Sequence, residues 1–381
     1  MDINELRKNI DDIDRELVEL FKKRMSVSAQ VAEYKRQNNM RVLDPSRERA
    51  LLAKVASLSG EDLEDYTKTL YSTILDLSRS YQHRRLGETA ELSGLINSAE
   101  QNTPKIFPEA ATVACQGVEG AYSQIAAERL FKAPSITFLS SFDKVFSAIE
   151  AGMCRYGVLP IENSTAGSVK QVYDLMVSKK FKIVRSVRIK VDHNLLANKG
   201  AKLENITEIF SHEQAINQCS EFLASLGKNV KITRVENTAE AARMVSESGR
   251  LDIASISSRS CAAQYGLSVL SGAIQDNGNN HTRFICISNE LEIYPGADRT
   301  SLMLVTPHKP GALYKILSRF NALGINLLKL ESRPLPDRDF EFMFYFDLEA
   351  SVYSQKLAQL LSELEQECDE FTYLGSYSEV I

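Results

Sequence analysis

The chain has 381 residues, 44% of them hydrophobic and 25% charged, with a net charge of −5. That length exceeds one ordinary core and implies two or three domains, while the acidic balance excludes the basic face that nucleic-acid binding needs. No apolar run approaches a membrane span, and the acidic, helical start MDINELRKNI is not a secretory signal.

The cysteines (Cys115, Cys154, Cys219, Cys261, Cys286 and Cys368) stand without a CxxC pair or nearby histidine ligands. They read as free thiols in a reducing cytoplasm, and no metal site is expected.

From Asp2 to about Gln37 there is neither Gly nor Pro, and Ile3, Leu6, Ile10, Ile13, Leu17, Leu20, Val27 and Val31 recur at a 3–4 spacing. One long helix with an apolar seam is predicted. Arg24 occupies the seam slot between Leu20 and Val27. A charge there is costly unless paired, so Arg24 calls for a buried anion, either an acidic side chain or an acidic ligand. Arg7 and Lys35 share a position beside the seam but lie about 42 Å apart along the axis, too far for one small metabolite. Arg24 and Lys35, about 16 Å apart, could close on one ligand. Arg7 would have to reach it from another copy of the chain.

Asp44–Pro45 opens a second helix, with Asp as N-cap and Pro at the first position. Arg47 and Glu48 fall in its first turn, and Gly60 closes it. A third helix, about 62–84, would turn Leu63, Tyr66, Leu70, Ile74, Leu77 and Tyr81 inward. Ser78 and Gln82 stand one turn apart on one face.

As a set, Arg7, Arg24, Lys35, Asp44, Arg47, Glu48, Ser78 and Gln82 on three helices resemble the all-helical chorismate mutases, over residues 1–90. The resemblance implies a site completed by an arginine from the partner's first helix, here Arg7, and no cofactor. Chorismate to prephenate is a pericyclic rearrangement, so the protein has only to hold a folded dicarboxylate and stabilise the breaking ether oxygen. Arg7, Arg24 and Arg47 would take carboxylates, Lys35 and Gln82 the ether oxygen, and Glu48 with Asp44 the ring hydroxyl.

Residues 86–110 lose periodicity and gain Gly, Asn and Pro, so 91–110 is read as a linker. Beyond it, strands (ATVACQG, ITFLSS, YGVLPI) alternate with helices at 123–131 and 142–151. A second such group follows (ITEIFS, VKITRVE, LDIASIS, with helices near 213–226 and 239–248). The pattern is α/β, in two lobes with a cleft between them. Polar clusters sit where such sheets place their sites, at strand ends and helix starts. These are Glu162, Asn163, Ser164 and Thr165; Ser211 and Gln214; and Thr282, Arg283 and Phe284. Taken alone, each is also explained by capping, and NHTRFICI (280–287) reads as a strand with a solvated end at Thr282–Arg283. No dinucleotide or triphosphate fingerprint is present.

GxxGxYS (Gly117, Gly120, Tyr122, Ser123), PIENSTAGSV, SHxQ…QC (Ser211, His212, Gln214, Gln218, Cys219) and TRF together resemble prephenate dehydratase, over residues 111–290. The resemblance implies a two-lobed, periplasmic-binding-protein-like domain in which Thr282 is essential. Thr282 would donate to the departing ring hydroxyl, Ser164, Thr165 and Arg283 would hold carboxylates, and Glu162, Asn163, Ser211 and Gln214 would orient the cluster. Phe284 completes the binding set. Glu213 and the Val118–Glu119 turn depart from the family, which commonly has Pro at both places.

Residues 298–381 read βαββαβ, the ferredoxin-like order. PGAL (Pro310–Leu313) and ESRP (Glu331–Pro334) resemble the ACT regulatory domain, which implies a phenylalanine site formed by Gly311, Ala312, Leu313, Glu331, Ser332 and Arg333 at a dimer interface. Leu328 stands where the regulatory pattern usually has Ser or Thr.

The expectation for the whole chain is a multidomain, cytoplasmic homodimer or higher oligomer that needs no cofactor. It would convert chorismate to prephenate and then to phenylpyruvate under feedback by phenylalanine. A non-catalytic ligand sensor is the rival, because a two-lobed cleft with an ACT domain is also a sensor's architecture. Thr282 and the filled mutase shell are what a sensor would not require. A mutase–dehydrogenase would want the missing dinucleotide fingerprint.

Overall fold

The Gly- and Pro-free start forms a single helix, α1 (Ile3–Gln37), with Asp2 accepting from the Asn4 amide and Lys35 and Arg36 facing the negative end of the dipole. α2 (Pro45–Ser59) begins where Asp44 accepts from the Arg47 amide at 3.0 Å and ends at Gly60, whose φ of 74° favours glycine. α3 (Glu64–Leu86) packs on α1 through a 2.8 Å contact between the buried Ser28 and Ser78 hydroxyls. This computed structural model describes residues 2–86, 91–227, 229–306, 308–335, 338 and 341–381. It forms two units, Met1–Gly94 with Gln359–Gln366, and Leu95–Ala358 with Glu367–Ile381.

The apolar side chains of the first unit lie differently from expectation. The α1 seam is open to solvent from Ile3 to Val31, with Leu20 61% exposed. Leu63, Tyr66, Leu70 and Leu77, expected to turn inward from the third helix, are exposed too. Periodicity fixes which residues share a face, but three helices of one chain cannot cover every such face. The stretch read as a linker contains α4 (Glu91–Asn102), which buries Leu92, Ile96 and Ala99 at helical spacing.

In the second unit, β1 (Ala110–Gln116), α5 (Tyr122–Leu130), β2 (Ala133–Leu139), α6 (Phe142–Glu150), β3 (Tyr156–Asn163), β4 (Gly167–Ser168), α7 (Lys170–Ser178) and β5 (Lys182–Lys190) build the first lobe. The chain crosses to a second lobe made of β6 (Asn194–Ala197), β7 (Glu208–Ser211), α8 (Glu213–Asn217), α9 (Ser220–Ser225), β8 (Lys231–Arg234), α10 (Thr238–Ser248), β9 (Ile253–Ser257), α11 (Arg259–Gln264) and β10 (Ser268–Ser271). It then returns as β11 (His281–Ser288). The second sheet runs β10-β6-β9-β7-β8.

β11 lies antiparallel between β5 and β3 and is buried beyond its first residue, so the end that carries Thr282 and Arg283 is not solvated. Its register sets Thr282 opposite Asn163 and Arg283 opposite Glu162.

The last domain follows the expected order: β12 (Arg299–Val305), α12 (Ala312–Ala322), β13 (Asn326–Pro334), β14 (Phe342–Glu349), α13 (Gln355–Glu367) and β15 (Glu370–Tyr377), in a sheet β13-β14-β12-β15. A final strand, β16 (Glu379–Val380), joins the first-lobe sheet parallel to β5. The two sheets share one core, in which Leu159, Ile161, Ile183 and Ile285 meet Met303, Val305, Tyr345 and Leu374. β15 lies so close on β5 that a Cβ at Gly375 would run into the Ile183 carbonyl.

Two candidate active sites

A cavity of about 480 Å³ opens between the first three helices. It is lined by the whole predicted shell except Arg7: Arg24, Lys35, Asp44, Arg47, Glu48, Ser78 and Gln82. Arg7 lies about 26 Å up α1 from Arg24. Arg24 Nη1 is buried without a partner among the described residues, and so is Gln82 Oε1. Such groups are stable only when a ligand or water completes them. The nearby carboxylates are engaged elsewhere: Glu48 pairs with Arg79, which also holds Asp76, and Asp44 caps α2. Lys35 Nζ donates to the Val42 carbonyl at 2.6 Å, tying the α1–α2 loop to the cavity rim.

Arg79 and Ser28 line this cavity and were not anticipated. Arg79 carried a usable signal, since it is a charge between Ser78 and Gln82 on the buried side of α3, the same anomaly that marks Arg24.

The second site is a cleft of about 680 Å³ between the lobes, lined by Asn163, Gln214, Thr282 and Phe284 of the expected set. Thr282 Oγ1 accepts from Asn163 Nδ2 at 2.9 Å, and the same amide donates to Asn280 Oδ1 at 2.7 Å. No described residue accepts the Thr282 proton, which stays available to a ligand. Asn163 is itself locked, because its Oδ1 accepts from the Thr165 hydroxyl (2.7 Å) and the Thr165 and Ala166 amides. Gln218 closes the ring across the lobes, donating to Thr165 Oγ1 at 2.8 Å and accepting from Asn280 at 3.0 Å.

Other expected residues are near the cleft but not in its wall. Ser164 pins the return crossover, donating to the Asn279 carbonyl and accepting from the His281 amide. Ser211 is fully buried and donates to the Ile256 carbonyl at 2.8 Å. Arg283 points away from the cleft, because successive residues of a strand face opposite sides and Thr282 takes the cleft side. It is buried against Asp347. Burial pushes its guanidinium down, but the carboxylate of Asp347 prevails and holds it charged well above its usual range. Glu162, across the sheet from Arg283, pairs with Lys329 at 2.9 Å.

Gln171, His193, Glu236 and Asn237 also line the cleft and were not singled out. His193 is signalled only by tertiary structure, at the outgoing crossover. Burial pushes its pKa, and that of His212, below the ordinary value. Gln218 Oε1 accepts from Asn280, so His193 Nε2, 2.9 Å away, is the donor to it and Nδ1 carries an unpartnered lone pair.

Residues 113–292 match the prephenate dehydratase family model, and residues 6–83 match chorismate mutase type II. The bifunctional chorismate mutase/prephenate dehydratase of Aquifex aeolicus is 30% identical over 381 residues, covering 100% of this chain and 99% of that one. The chain belongs to this bifunctional family. Arogenate dehydratase/prephenate dehydratase 2 of Arabidopsis thaliana is 38% identical over 70% of this chain and 72% of its own. Among solved structures, the prephenate dehydratase of Arthrobacter aurescens in complex with L-Phe superposes with a TM-score of 0.65 at 28% identity, covering 70% of this chain and 90% of that one.

The helical region is thus the chorismate mutase domain, the two lobes the prephenate dehydratase domain, and the last βαββαβ sheet an ACT-like domain. No helix among the described residues is long and apolar enough to cross a membrane. In the ACT-like domain Gly311 precedes α12 with φ 82°, and Ala312 and Leu313 are half-buried in its first turn. Glu331 and Arg333 are directed at the first lobe, accepting from Ser168 at 2.6 Å and donating to Asp174 at 2.6 Å. Ser332 faces the other way and is exposed.

Proposed function

We propose that this chain rearranges chorismate to prephenate in the helical cavity and then converts prephenate to phenylpyruvate in the interlobe cleft. The observation that carries the reading is the Thr282 hydroxyl, held by Asn163 in the cleft with its proton uncommitted. In prephenate the bond to the ring carboxylate breaks and carbon dioxide leaves, the bond's electron pair completes the aromatic ring, and the ring hydroxyl departs as hydroxide that solvent protonates to water. A donor at that oxygen lowers the barrier as negative charge develops. Threonine does not ionise in this range, so Thr282 acts as an oriented hydrogen bond rather than as an outright acid.

For the mutase step the unpartnered Arg24 Nη1 and the nearby Arg47 take carboxylates, and Lys35 and Gln82 face the ether oxygen. The open α1 seam and the distance of Arg7 support a homodimer in which each cavity takes Arg7 from its partner. Phenylalanine is the effector, read from the ACT-like domain and from the relative solved with L-Phe. The free cysteines fit a reducing cytoplasm.

Purified protein given chorismate should form phenylpyruvate, followed by ultraviolet absorbance, and prephenate alone should serve as substrate. Arogenate, named in the plant relatives, is the substrate to compare. Consumption of chorismate with no decay of prephenate or arogenate would refute the second half of the reading.

A further inference from the structure

The motif that contains Thr282 has a further charged member that the cleft does not use. β11 pairs with β3 so that Thr282 is opposite Asn163 and, one step on, Arg283 is opposite Glu162. Because a strand alternates its faces, the Thr282–Asn163 pair faces the cleft and the Arg283–Glu162 pair faces the opposite side of the sheet. There the C-terminal sheet meets both members. Arg283 pairs with Asp347 on β14, and Glu162 pairs with Lys329 on β13. Lys329 also donates to Ser168 at 2.7 Å, and Ser168 donates to Glu331 at 2.6 Å.

Asp347 is tied to the rest of its own sheet. It accepts from the hydroxyls of Ser301 on β12, Tyr345 on β14 and Tyr377 on β15, so its position follows the geometry of three strands. The pair it makes with Arg283 is almost wholly buried, with 8% and 1% of the side chains exposed. Buried ion pairs seldom add stability over apolar packing, and their best-attested use is to hold a register or a switch. Arg283 also leaves Nε buried without a partner, so the fork that could grip a carboxylate with two bonds is used incompletely.

We propose that Asp347 and Lys329 of the ACT-like domain are positioning residues for the dehydratase site, acting through Arg283 and Glu162 to set the Thr282–Asn163 pair. Moving β13 and β14 relative to β3 and β11 pulls on the residues adjacent to the catalytic pair. The dehydratase responds directly, while the mutase cavity, built from the first three helices, has no residue in this chain of contacts. The inference rests on the assignment of the cleft to dehydration.

The test uses the full-length protein. Asp347→Asn and Lys329→Ala should lower dehydratase kcat by about tenfold to a hundredfold, the penalty of a misplaced catalytic group. KM for prephenate should change far less, and mutase kcat should stay at the wild-type value. Lys329→Arg should restore activity, because it keeps the charge facing Glu162. Lys329→Met, which keeps most of the volume without the charge, should stay low, whereas a packing defect alone would be repaired by it. If Asp347→Asn does not fold, Lys329→Ala with its arginine rescue decides the matter. Thr282→Ala separates the two levels of the argument: if it still makes phenylpyruvate, the cleft assignment fails. If it is inactive while folded Asp347→Asn and Lys329→Ala keep wild-type kcat, the assignment stands and the positioning role is overturned.

Discussion

Replacing Thr282 by Ala removes one hydroxyl and one methyl at a position 9% exposed. The lost hydroxyl accepted from Asn163, but that amide keeps its 2.7 Å bond to Asn280, so no buried donor is orphaned. A neutral hydrogen bond whose partner stays satisfied is worth about 1 kcal/mol, and the buried methyl about 0.8 kcal/mol more. The folded state should therefore survive with a loss of about 2 kcal/mol. On the proposed assignment the transition state loses more, because Thr282 donates to the departing oxygen as that oxygen gathers charge. Removal of such a donor slows reaction by about 10² to 10⁴, or about 2.7 to 5.4 kcal/mol. KM should move little, since the interaction strengthens only as the bond breaks. Prephenate decay and phenylpyruvate formation measure kcat, chorismate consumption reports the mutase in the same sample, and Thr282→Ser should keep most of the rate. A folded Thr282→Ala protein with kcat within about threefold of wild type would refute the assignment.

An Arg7→Ala chain refolded together with a Lys35→Ala chain should regain mutase activity well above either parent, as mixed dimers contain one intact cavity. Demonstrated heterodimers without recovery would place the whole shell in one chain. Gly375→Ala should lower the urea midpoint of the dehydratase unit by the equivalent of about 3 kcal/mol, because its Cβ meets the Ile183 backbone, which cannot yield as a side chain would. An unchanged midpoint would mean that β15 is free to move off β5. Burial holds the pKa of His193 and His212 below the ordinary value near 6.5 that they regain when unfolded, so the unfolded chain takes up protons first as pH falls. Their contribution is complete above that pH and is lost below it, at no more than about 1.4 kcal/mol per pH unit for each. Urea unfolding between about pH 7.5 and 5.5 should show this slope, reduced in His193→Gln. Gly311→Val, strained at φ 82°, should raise the phenylalanine concentration needed for half-inhibition, and an unchanged value would move the effector site elsewhere.

Helix and strand periodicity, capping and short-range spacing are local, and they made much of this protein legible. The long first helix, the Asp44–Pro45 start of the second, the two α/β groups and the βαββαβ order could all be read in chain order. Helical spacing also places Arg24 and Lys35 on one face before any packing is known, and both line one cavity; the rest of the expected shell came from the family resemblance. The period-2 rule also held the answer for Arg283, whose neighbour Thr282 faces the cleft and so sends it to the other side. Reading TRF as a single cluster hid that.

Other features depend on partners distant in the chain, and only the tertiary structure decided them. Nothing near Arg283 names Asp347, and nothing near Asn163 points to Gln218 or Asn280. The α1 seam declares an apolar face but not what lies against it, and here the other helices of its own chain leave it open. The strand holding Thr282 opens on three polar residues, His281, Thr282 and Arg283, like a solvated strand end. It became a central strand because β5, itself rich in charge, closes over its other side. Burial of that kind is a property of two segments meeting, and a pattern confined to one of them cannot carry it.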